Sequence, residues 1–459
     1  MRRSHLRAWV SGVLAVLCVL FCAQLGPLPS GGLQAEVVYP GSAPDPFVST
    51  GSAPDSSRTD TSRAAGAQSD SRYRNPTPGG ASQPVSSGGR ETRPATISDG
   101  TSVRIRPLLS GTSARVYDAI CEAVAQMQAG LIPLGVCSEA DITLAYHAVS
   151  ADHPEFFWMP FGYVRAQDSS GQYIGFEYRS ASAQMSYLCT RAQRERMERE
   201  LEQAAAQAES LLRTGMNEYE RELALHDWLT SRCTYAHGAD QNEEPMAFTI
   251  YGALVEGSAV CEGYARGMQY LLARTGIACS LVWGESEGEG HMWNIVRIDG
   301  TWYHLDPTWN DSSDAGYHTF FNLPEVSIRM DRTIDPDYDS LSPDALESGF
   351  NVALPACNSE QANFCAVNGT LIESGDVLAQ VVTSGLAAAA RQGKTSAEFA
   401  FSAGYGRRLE STAALHGELM ELGCVEAANR SLPQGMTISR NRMVLTGVKY
   451  STGFKLSWG

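Results

Sequence analysis

The sequence predicts an α+β fold, on the evidence of a helix and a β-hairpin in the middle of the chain. Residues 261–275 hold good helix formers, with apolar side chains at helical spacing, and Gly276 is a suitable stop. Asp299 and Gly300 form a strong two-residue turn signal between two stretches that alternate between apolar and polar residues. Helical and strand patterns also alternate on both sides of this centre.

Three chemically active side chains lie at the ends of these elements. Cys261 opens the helix, His291 begins the first strand of the hairpin, and Asp306 ends the second. A helix N-terminus presents unpaired N–H groups and about half a positive charge. We expect this environment to lower the thiol pKa of Cys261 and to stabilise an oxyanion. The alternative is a structural cysteine buried in the core.

The hairpin turn fixes which residues of its strands lie opposite each other. If Asp299-Gly300 is the turn, Ile298 lies opposite Thr301, and counting outward puts His291 and Asp306 on one face, about 7–8 Å apart as diagonal neighbours. Asp306 could then accept a hydrogen bond from one imidazole nitrogen and leave the other for the thiol. A slip of one residue would put them on opposite faces. The alternative makes His291 a strand-end histidine and Asp306 a turn former before a proline.

Three short motifs carry a resemblance to a known family. VCEGYA (260–265), GHMWN (290–294) and WYHLDPTW (302–309) resemble motifs of the transglutaminase-like superfamily, closest to its bacterial secreted, kyphoscoliosis-peptidase-like branch. The resemblance covers about residues 215–325. It implies a papain-like, transglutaminase-like core in which the cysteine helix packs on an antiparallel sheet. It also implies that Cys261 is the nucleophile, His291 the general base and acid, and Asp306 the orienting carboxylate.

The first hundred residues are predicted to lie outside the folded part. Residues 1–35 resemble a signal peptide, with a basic start, an apolar run too short for a membrane span, and a passable cleavage site at 33–35. The alternatives are an uncleaved N-terminal anchor and a lipoprotein site at Cys22. Residues 36–100 are rich in Ser, Gly and Pro and poor in large apolar side chains, so we expect a disordered linker.

Three further units follow along the chain. We expect an N-terminal α/β module at 101–213, with a helical face at 116–127, a helix capped by Ser138 and Asp141, paired strands at 161–167 and 172–180, and a charged helix at 191–212. The catalytic domain spans 214–345, and Asn217 with Glu220 caps its first helix.

The C-terminal unit at 350–459 is predicted to be a small α/β domain of two helices on a four-stranded sheet. The predicted strands are 364–373, 397–403, 443–449 and 453–458, and the predicted helices are 377–390 and 412–422. Nothing in this stretch indicates a particular chemistry.

Composition excludes some classes of function. The 459 residues carry a net charge of −16, and the absence of a basic patch speaks against nucleic-acid binding. No Cys/His pairs have metal spacing, so neither a metal nor a cofactor is predicted.

Two of the 11 cysteines lie in the predicted signal peptide. Of the rest, Cys121 with Cys137 and Cys357 with Cys365 are the first disulfide pairs to test in an exported protein.

Other residues near the motifs have two interpretations each. His304 shares the hairpin face of His291 and is a candidate substitute base, although packing is the alternative. Trp293 and Trp309 could shape an apolar acyl-binding cleft or fill the core. Tyr251 and Tyr264 could donate hydroxyl hydrogen bonds to an oxyanion.

The sequence therefore predicts a secreted or envelope-associated cysteine enzyme that cleaves an amide of a peptide or protein through a thioester. The substrate could be a cell-wall or surface protein, and membrane contact would come only from an uncleaved N-terminal segment. The alternatives are protein crosslinking by acyl transfer to an amine and a noncatalytic surface binding protein.

Overall fold

The computed structural model describes residues 104–178, 186–311, 317–334 and 352–458, and two isolated strands near the N-terminus. The predicted signal peptide lies outside the described residues. Within the predicted linker the structure describes only strand β1 (Val37–Val38) and strand β2 (Ala95–Thr96). The disordered linker over 36–100 stays a prediction.

The described chain contains helices and short strands in an irregular order. The α-helices are α1 (Gly111–Ala125), α2 (Glu139–Asp152), α3 (Arg191–Glu209), α4 (Glu218–Thr230), α5 (Cys261–Arg274), α6 (Pro307–Asn310), α7 (Glu325–Ile328), α8 (Phe364–Val367), α9 (Gly375–Arg391), α10 (Thr412–Glu421) and α11 (Cys424–Ser431). The remaining strands are β3 (Ile132–Cys137), β4 (Tyr163–Gln167), β5 (Tyr173–Tyr178), β6 (Thr234–Tyr235), β7 (Ser258–Ala259), β8 (Cys279–Ser286), β9 (Glu289–Ile298), β10 (Thr301–Leu305), β11 (Arg332–Thr333), β12 (Val352–Ala353), β13 (Leu371–Ile372), β14 (Ser396–Phe401), β15 (Val444–Thr446) and β16 (Gly453–Ser457).

The N-terminal unit has an antiparallel sheet in the order β1-β4-β5-β3 with helices α1 and α2. The Ser138 hydroxyl accepts from the Asp141 N–H, and the Asp141 carboxylate accepts from the Ser138 N–H, so the predicted capping box at α2 is confirmed. The predicted pairing of the two strands is confirmed as β4 with β5.

The central sheet positions the candidate site. Its order is β10-β9-β8-β11, and all its pairings are antiparallel. The predicted register is confirmed, since Thr301 pairs with Ile298 and Leu305 with Asn294. Helix α5 lies against this sheet, and the Asn294 side chain donates a hydrogen bond of 2.9 Å to the Ala265 carbonyl. The cysteine helix is thereby fixed to β9, the strand that carries His291.

The C-terminal unit has a mixed four-stranded sheet in the order β13-β14-β16-β15 with helices α9, α10 and α11. The prediction of a strand over 364–373 was wrong, because the side-chain Oδ1 of Asn363 caps a helical turn by accepting from the N–H groups of Cys365 and Ala366. Only Leu371–Ile372 is a strand there, and α11 was not predicted at all.

One hydrophobic core runs from the N-terminal unit into the central one. It joins side chains of α1 and α2 to those of α5 and of strands β9 and β10, from Ile105 to Ala362. A separate core fills the C-terminal unit. The boundary at residue 213 stays a prediction. Among the described residues, every helix is either too short or too polar to cross a bilayer.

Candidate active site

His291 and Asp306 form the hydrogen bond that the sequence predicts. The Nε2 atom of His291 lies 2.8 Å from Oδ2 of Asp306, and both side chains are fully buried. Asp306 ends the hairpin and caps helix α6, since its Oδ1 also accepts the Trp309 N–H at 3.1 Å. Because an ionised carboxylate only accepts, Nε2 of His291 carries a proton and Nδ1 is left for other chemistry. This Nδ1 is buried and has no hydrogen-bond partner.

Cys261 lies at the first position of helix α5, as predicted, and is 1% exposed. Burial raises the pKa of its thiol to about 12, whereas hydrogen bonds from the backbone N–H groups of Met292 and Glu262 lower it. The expectation that the helix N-terminus would favour the thiolate was therefore wrong, because desolvation of the ionised sulfur outweighs those N–H groups. A base must take the thiol proton.

The sulfur of Cys261 and the ring of His291 form no hydrogen bond with each other, but the residue next to His291 contacts the sulfur. The Met292 N–H reaches the sulfur, and Met292 directly follows His291. Such contacts are often long in substrate-free enzymes and tighten when substrate binds. The arrangement therefore has an oriented base on the strand whose Met292 N–H bonds to a protonated thiol.

Arg332, which the sequence analysis missed, completes the surroundings of Asp306. Its Nη2 lies 2.7 Å from Oδ2 of Asp306, and its Nη1 lies 2.7 Å from Oδ1 of Asp331. Although burial raises the pKa of Asp306, the charges of His291 and Arg332 hold it at about 2. Asp306 is therefore ionised at neutral pH. No local pattern marks Arg332, since a two-residue strand brings it to the site.

Two tryptophans hold the ring of His291 in place. Trp293 stacks on it at 5.7 Å between ring centroids, and Trp309 meets it edge-on at 6.3 Å. Both tryptophans are buried, which favours their interpretation as core residues. Trp293 also donates a hydrogen bond of 3.1 Å to Nδ1 of His304. Burial lowers the pKa of His304 to about 3, so this histidine packs as a neutral ring and does not face Asp306 as a substitute base.

The hydroxyls suggested as oxyanion donors are engaged elsewhere. Tyr251 donates to Glu200 at 2.6 Å, and Tyr264 donates a short hydrogen bond to Asp311. The oxyanion donors that remain at Cys261 are the first N–H groups of helix α5.

The predicted disulfides are not formed, because all nine cysteines of the described residues are free thiols.

A second group of ionisable side chains lies on helix α4 and in the segment that precedes helix α7. One ring nitrogen each of His226 and His318 and one oxygen of Asp227 lie within 4.8 Å of one another, a spacing that a metal ion could use. However, the Asn310 amide nitrogen lies 3.0 Å from Nε2 of His226, and its oxygen is occupied by the Phe320 N–H. Nδ1 of His226 must then carry the proton that it donates to Asp227. The group is therefore arranged as a hydrogen-bonded network.

Comparisons with known proteins agree with the central fold. Residues 205–307 match the family model described as Transglutaminase-like superfamily. The chain is 29% identical over 111 residues to Kyphoscoliosis peptidase from Homo sapiens and from Mus musculus, a match that covers 22% of this chain and 17% of each relative. A solved structure described as a TGase matches with 18% identity and a TM-score of 0.23, over 26% of this chain and 33% of that one. Because this TM-score is low, the likeness to the family rests on the sequence matches over this part of the chain.

Proposed function

We propose, from the premise that residues 205–307 belong to the transglutaminase-like superfamily, that this chain is a cysteine enzyme that acts on an amide of a peptide or protein. The observation that carries the proposal is the buried pair of His291 and Asp306, with Nδ1 of His291 free of any partner and Cys261 at the adjoining helix N-terminus. Cys261 is the nucleophile, His291 the general base and acid, and Asp306 the carboxylate that fixes the ring.

The reaction begins with proton transfer. Nδ1 of His291 takes the proton of Cys261, and the sulfur attacks the amide carbonyl carbon. Asp306 stabilises the imidazolium through the 2.8 Å hydrogen bond to Nε2. The N–H groups at the start of helix α5 stabilise the oxyanion of the tetrahedral intermediate. Protonation of the amide nitrogen by His291 breaks the C–N bond, releases the amine and leaves a thioester on Cys261.

The second half of the reaction releases the acyl group. His291 takes a proton from water, the resulting hydroxide attacks the thioester carbonyl, and the thiol leaves with the proton returned to sulfur. An amine in place of water would give acyl transfer. Hydrolysis is the proposed outcome, since water is always available while transfer needs a site that binds the amine and excludes water.

Access to the site is part of the proposal. Cys261 and His291 are each 1% exposed and Asp306 is fully buried, so the substrate must displace groups that cover the thiol. Such opening motions commonly occur on the microsecond to millisecond timescale.

The proposed location of the protein is secreted or envelope-associated, on the basis of the basic and apolar N-terminal segment, with an uncleaved anchor as the alternative.

A single assay separates hydrolysis, transfer and binding without catalysis. The purified chain is incubated with a denatured protein mixture and an isotope-labelled primary amine, and new N-termini and incorporated label are mapped by mass spectrometry. We expect new N-termini that depend on Cys261, with Cys261→Ala as the matched control. Label at glutamine side chains without new N-termini would indicate crosslinking chemistry. Identical products from both proteins would mean that Cys261 is not the nucleophile.

A further inference from the structure

A second thiol, imidazole and carboxylate lie together in the N-terminal unit. Sγ of Cys121 on helix α1 lies 3.5 Å from Nε2 of His153, the residue that ends helix α2. Nδ1 of the same ring lies 2.8 Å from Oε1 of Glu155. Phe156 stacks on the ring at 4.7 Å between centroids and 12° between planes. The imidazole is therefore held between a carboxylate and a sulfur, in a fixed orientation.

The protonation of this group follows from its partners. The carboxylate of Glu155 only accepts, so Nδ1 of His153 carries a proton and Nε2 faces the sulfur. Although burial lowers it, the hydrogen bonds to Cys121 and Glu155 raise the pKa of His153 to about 9. Two other titratable groups lie near this ring, Tyr117 and Asp152, and they hydrogen-bond to each other at 2.9 Å. Nε2 of His153 therefore remains as the hydrogen-bond partner of the Cys121 sulfur, at 3.5 Å.

The position of Cys121 decides which thiol chemistry is open to it. Cys121 lies in the interior of helix α1, where backbone N–H groups already bond to carbonyls one turn back. It therefore lacks the free N–H donors that stabilise an oxyanion in acyl transfer. Attack on a sulfur atom needs no such donors. It needs a thiolate and a path to solvent, and Cys121 is partly exposed.

We propose that Cys121, supported by His153 and Glu155, is a thiol–disulfide exchange site for low-molecular-weight disulfides. The Cys121 thiolate attacks one sulfur of the small disulfide, the bond between its two sulfurs breaks, and the second half leaves as a thiolate that takes a proton from His153 or water. The product is a mixed disulfide on Cys121 and one released thiol. The proposal does not depend on the chemistry of Cys261.

The chain contains its own matched control. Cys137 is the one other partly exposed cysteine among the described residues, and the remaining seven are buried. It has no imidazole beside it, since its sulfur lies 3.6 Å from the Tyr173 carbonyl oxygen. Burial raises the pKa of the Cys137 thiol to about 11. Cys137 is therefore a comparison thiol that is also partly exposed but has a carbonyl oxygen, in place of an imidazole, at its sulfur.

The test is exchange with oxidised glutathione. The reduced full chain is incubated at neutral pH, quenched with acid, and digested so that mass spectrometry follows the mixed disulfide at each cysteine. We expect the adduct at Cys121 to form at least about tenfold faster than at Cys137, because only Cys121 of the two has an imidazole in hydrogen-bond contact with its sulfur. His153→Gln should remove most of this difference. Equal rates at the two cysteines in the unchanged chain would overturn the proposal.

The variants carry an internal check on folding. Buried cysteines such as Cys189 and Cys233 stay unreacted as long as the chain is folded. If His153→Gln does not fold, Glu155→Gln changes a side chain that is 39% exposed and should slow the reaction of Cys121 without unfolding the chain. A rate at Cys121 that is unchanged in a folded His153→Gln or Glu155→Gln variant would contradict the role assigned to that group.

Discussion

At the scale of single residues, the unusual feature is that one oxygen of Asp306 is shared by two nitrogen partners. Oδ2 lies 2.8 Å from Nε2 of His291 and 2.7 Å from Nη2 of Arg332, with all three side chains buried. Arg332 therefore holds the carboxylate that orients the ring of His291. We infer that Arg332 is a positioning residue for the pair of His291 and Asp306.

Replacement of Arg332 tests this inference. In Arg332→Met turnover should fall by up to about 10²-fold, because Asp306 would lose the partner that fixes its carboxylate toward His291. The free energy of unfolding should also fall by about 3–5 kcal/mol, the usual cost of removing one partner of a buried ion pair. Turnover assays and thermal melts measure the two effects.

Arg329→Met is the matched control, since Arg329 forms a surface pair with Glu325 at 2.7 Å and is 45% exposed. Its removal should cost only about 0.3–0.5 kcal/mol and leave turnover unchanged. Unchanged turnover in folded Arg332→Met would mean that the arginine only fills space and pairs charge.

Residue-level prediction from the sequence succeeded where the information was local. The hydrogen bond between His291 and Asp306 followed from the turn at Asp299-Gly300 and the two-residue period of a strand. Arg332 did not follow, because its approach to Asp306 depends on the packing of a strand from elsewhere in the chain. The protonated state of Cys261 did not follow either, since burial is a property of the whole fold.

At the scale of elements, strand β8 supports the site through a glycine. Gly284 pairs directly with His291 across the sheet. A Cβ atom at Gly284 would lie 2.7 Å from Cη2 of Trp293 and would also collide with the Thr333 carbonyl oxygen. Trp293 in turn stacks on His291. The absence of a side chain at Gly284 therefore lets the tryptophan and strand β11 approach the histidine.

Gly284→Ala should therefore damage both stability and turnover. Overpacking of this kind typically costs about 1–3 kcal/mol, and any shift of Trp293 displaces the ring of His291. The control is Gly417→Ala in helix α10, where a Cβ has open space and alanine favours the helix. Thermal melts and turnover of both variants are compared. A Gly284→Ala protein as stable and active as the unchanged chain would contradict the packing argument.

Elements marked by side-chain caps could be predicted, and those that depend on competition between local signals could not. The capping boxes at Ser138 and Asn217 identified the starts of α2 and α4. Residues 364–373 contain enough apolar residues for a strand, but the cap at Asn363 turns the first four into a helix. The side-chain cap at Asn363 outweighs the strand preference of the apolar residues that follow it.

At the scale of the whole molecule, His318 links the central unit to the C-terminal one. Its Nε2 lies 2.9 Å from Oδ1 of Asp227 on α4, and its Nδ1 lies 3.0 Å from Oε1 of Glu398 on β14. Phe364 stacks on the ring at 3.9 Å. Both carboxylates accept, so the bridge is complete only when the ring is an imidazolium. Although burial lowers it, these two partners raise the pKa of His318 to about 9.

This bridge predicts a stability that depends on pH. The folded-state pKa of His318, about 9, exceeds the ordinary value of 6.5, so its contribution is fully present below pH 6.5 and is lost as pH rises through 9. The neighbouring His226 does not oppose this, since burial lowers its pKa and it stays neutral. Thermal melts should show His318→Gln less stable than the unchanged chain at pH 6, with the gap closing above pH 9. His416→Gln, outside the bridge, is the control, and a gap independent of pH would contradict the bridge.

The proposed mechanism is tested most directly by asking whether a thioester forms on Cys261 and whether His291 is needed for its formation. A reactive peptide ester or amide substrate is mixed with the chain, the reaction is quenched in acid, and the peptide that contains residue 261 is examined by mass spectrometry. The Cys121→Ser background removes the other reactive thiol proposed above. We expect an acyl adduct on Cys261 that hydroxylamine removes, and a loss of many orders of magnitude in its formation in His291→Gln. Turnover that survives in Cys261→Ala, or an adduct that forms equally fast without His291, would contradict the central claim.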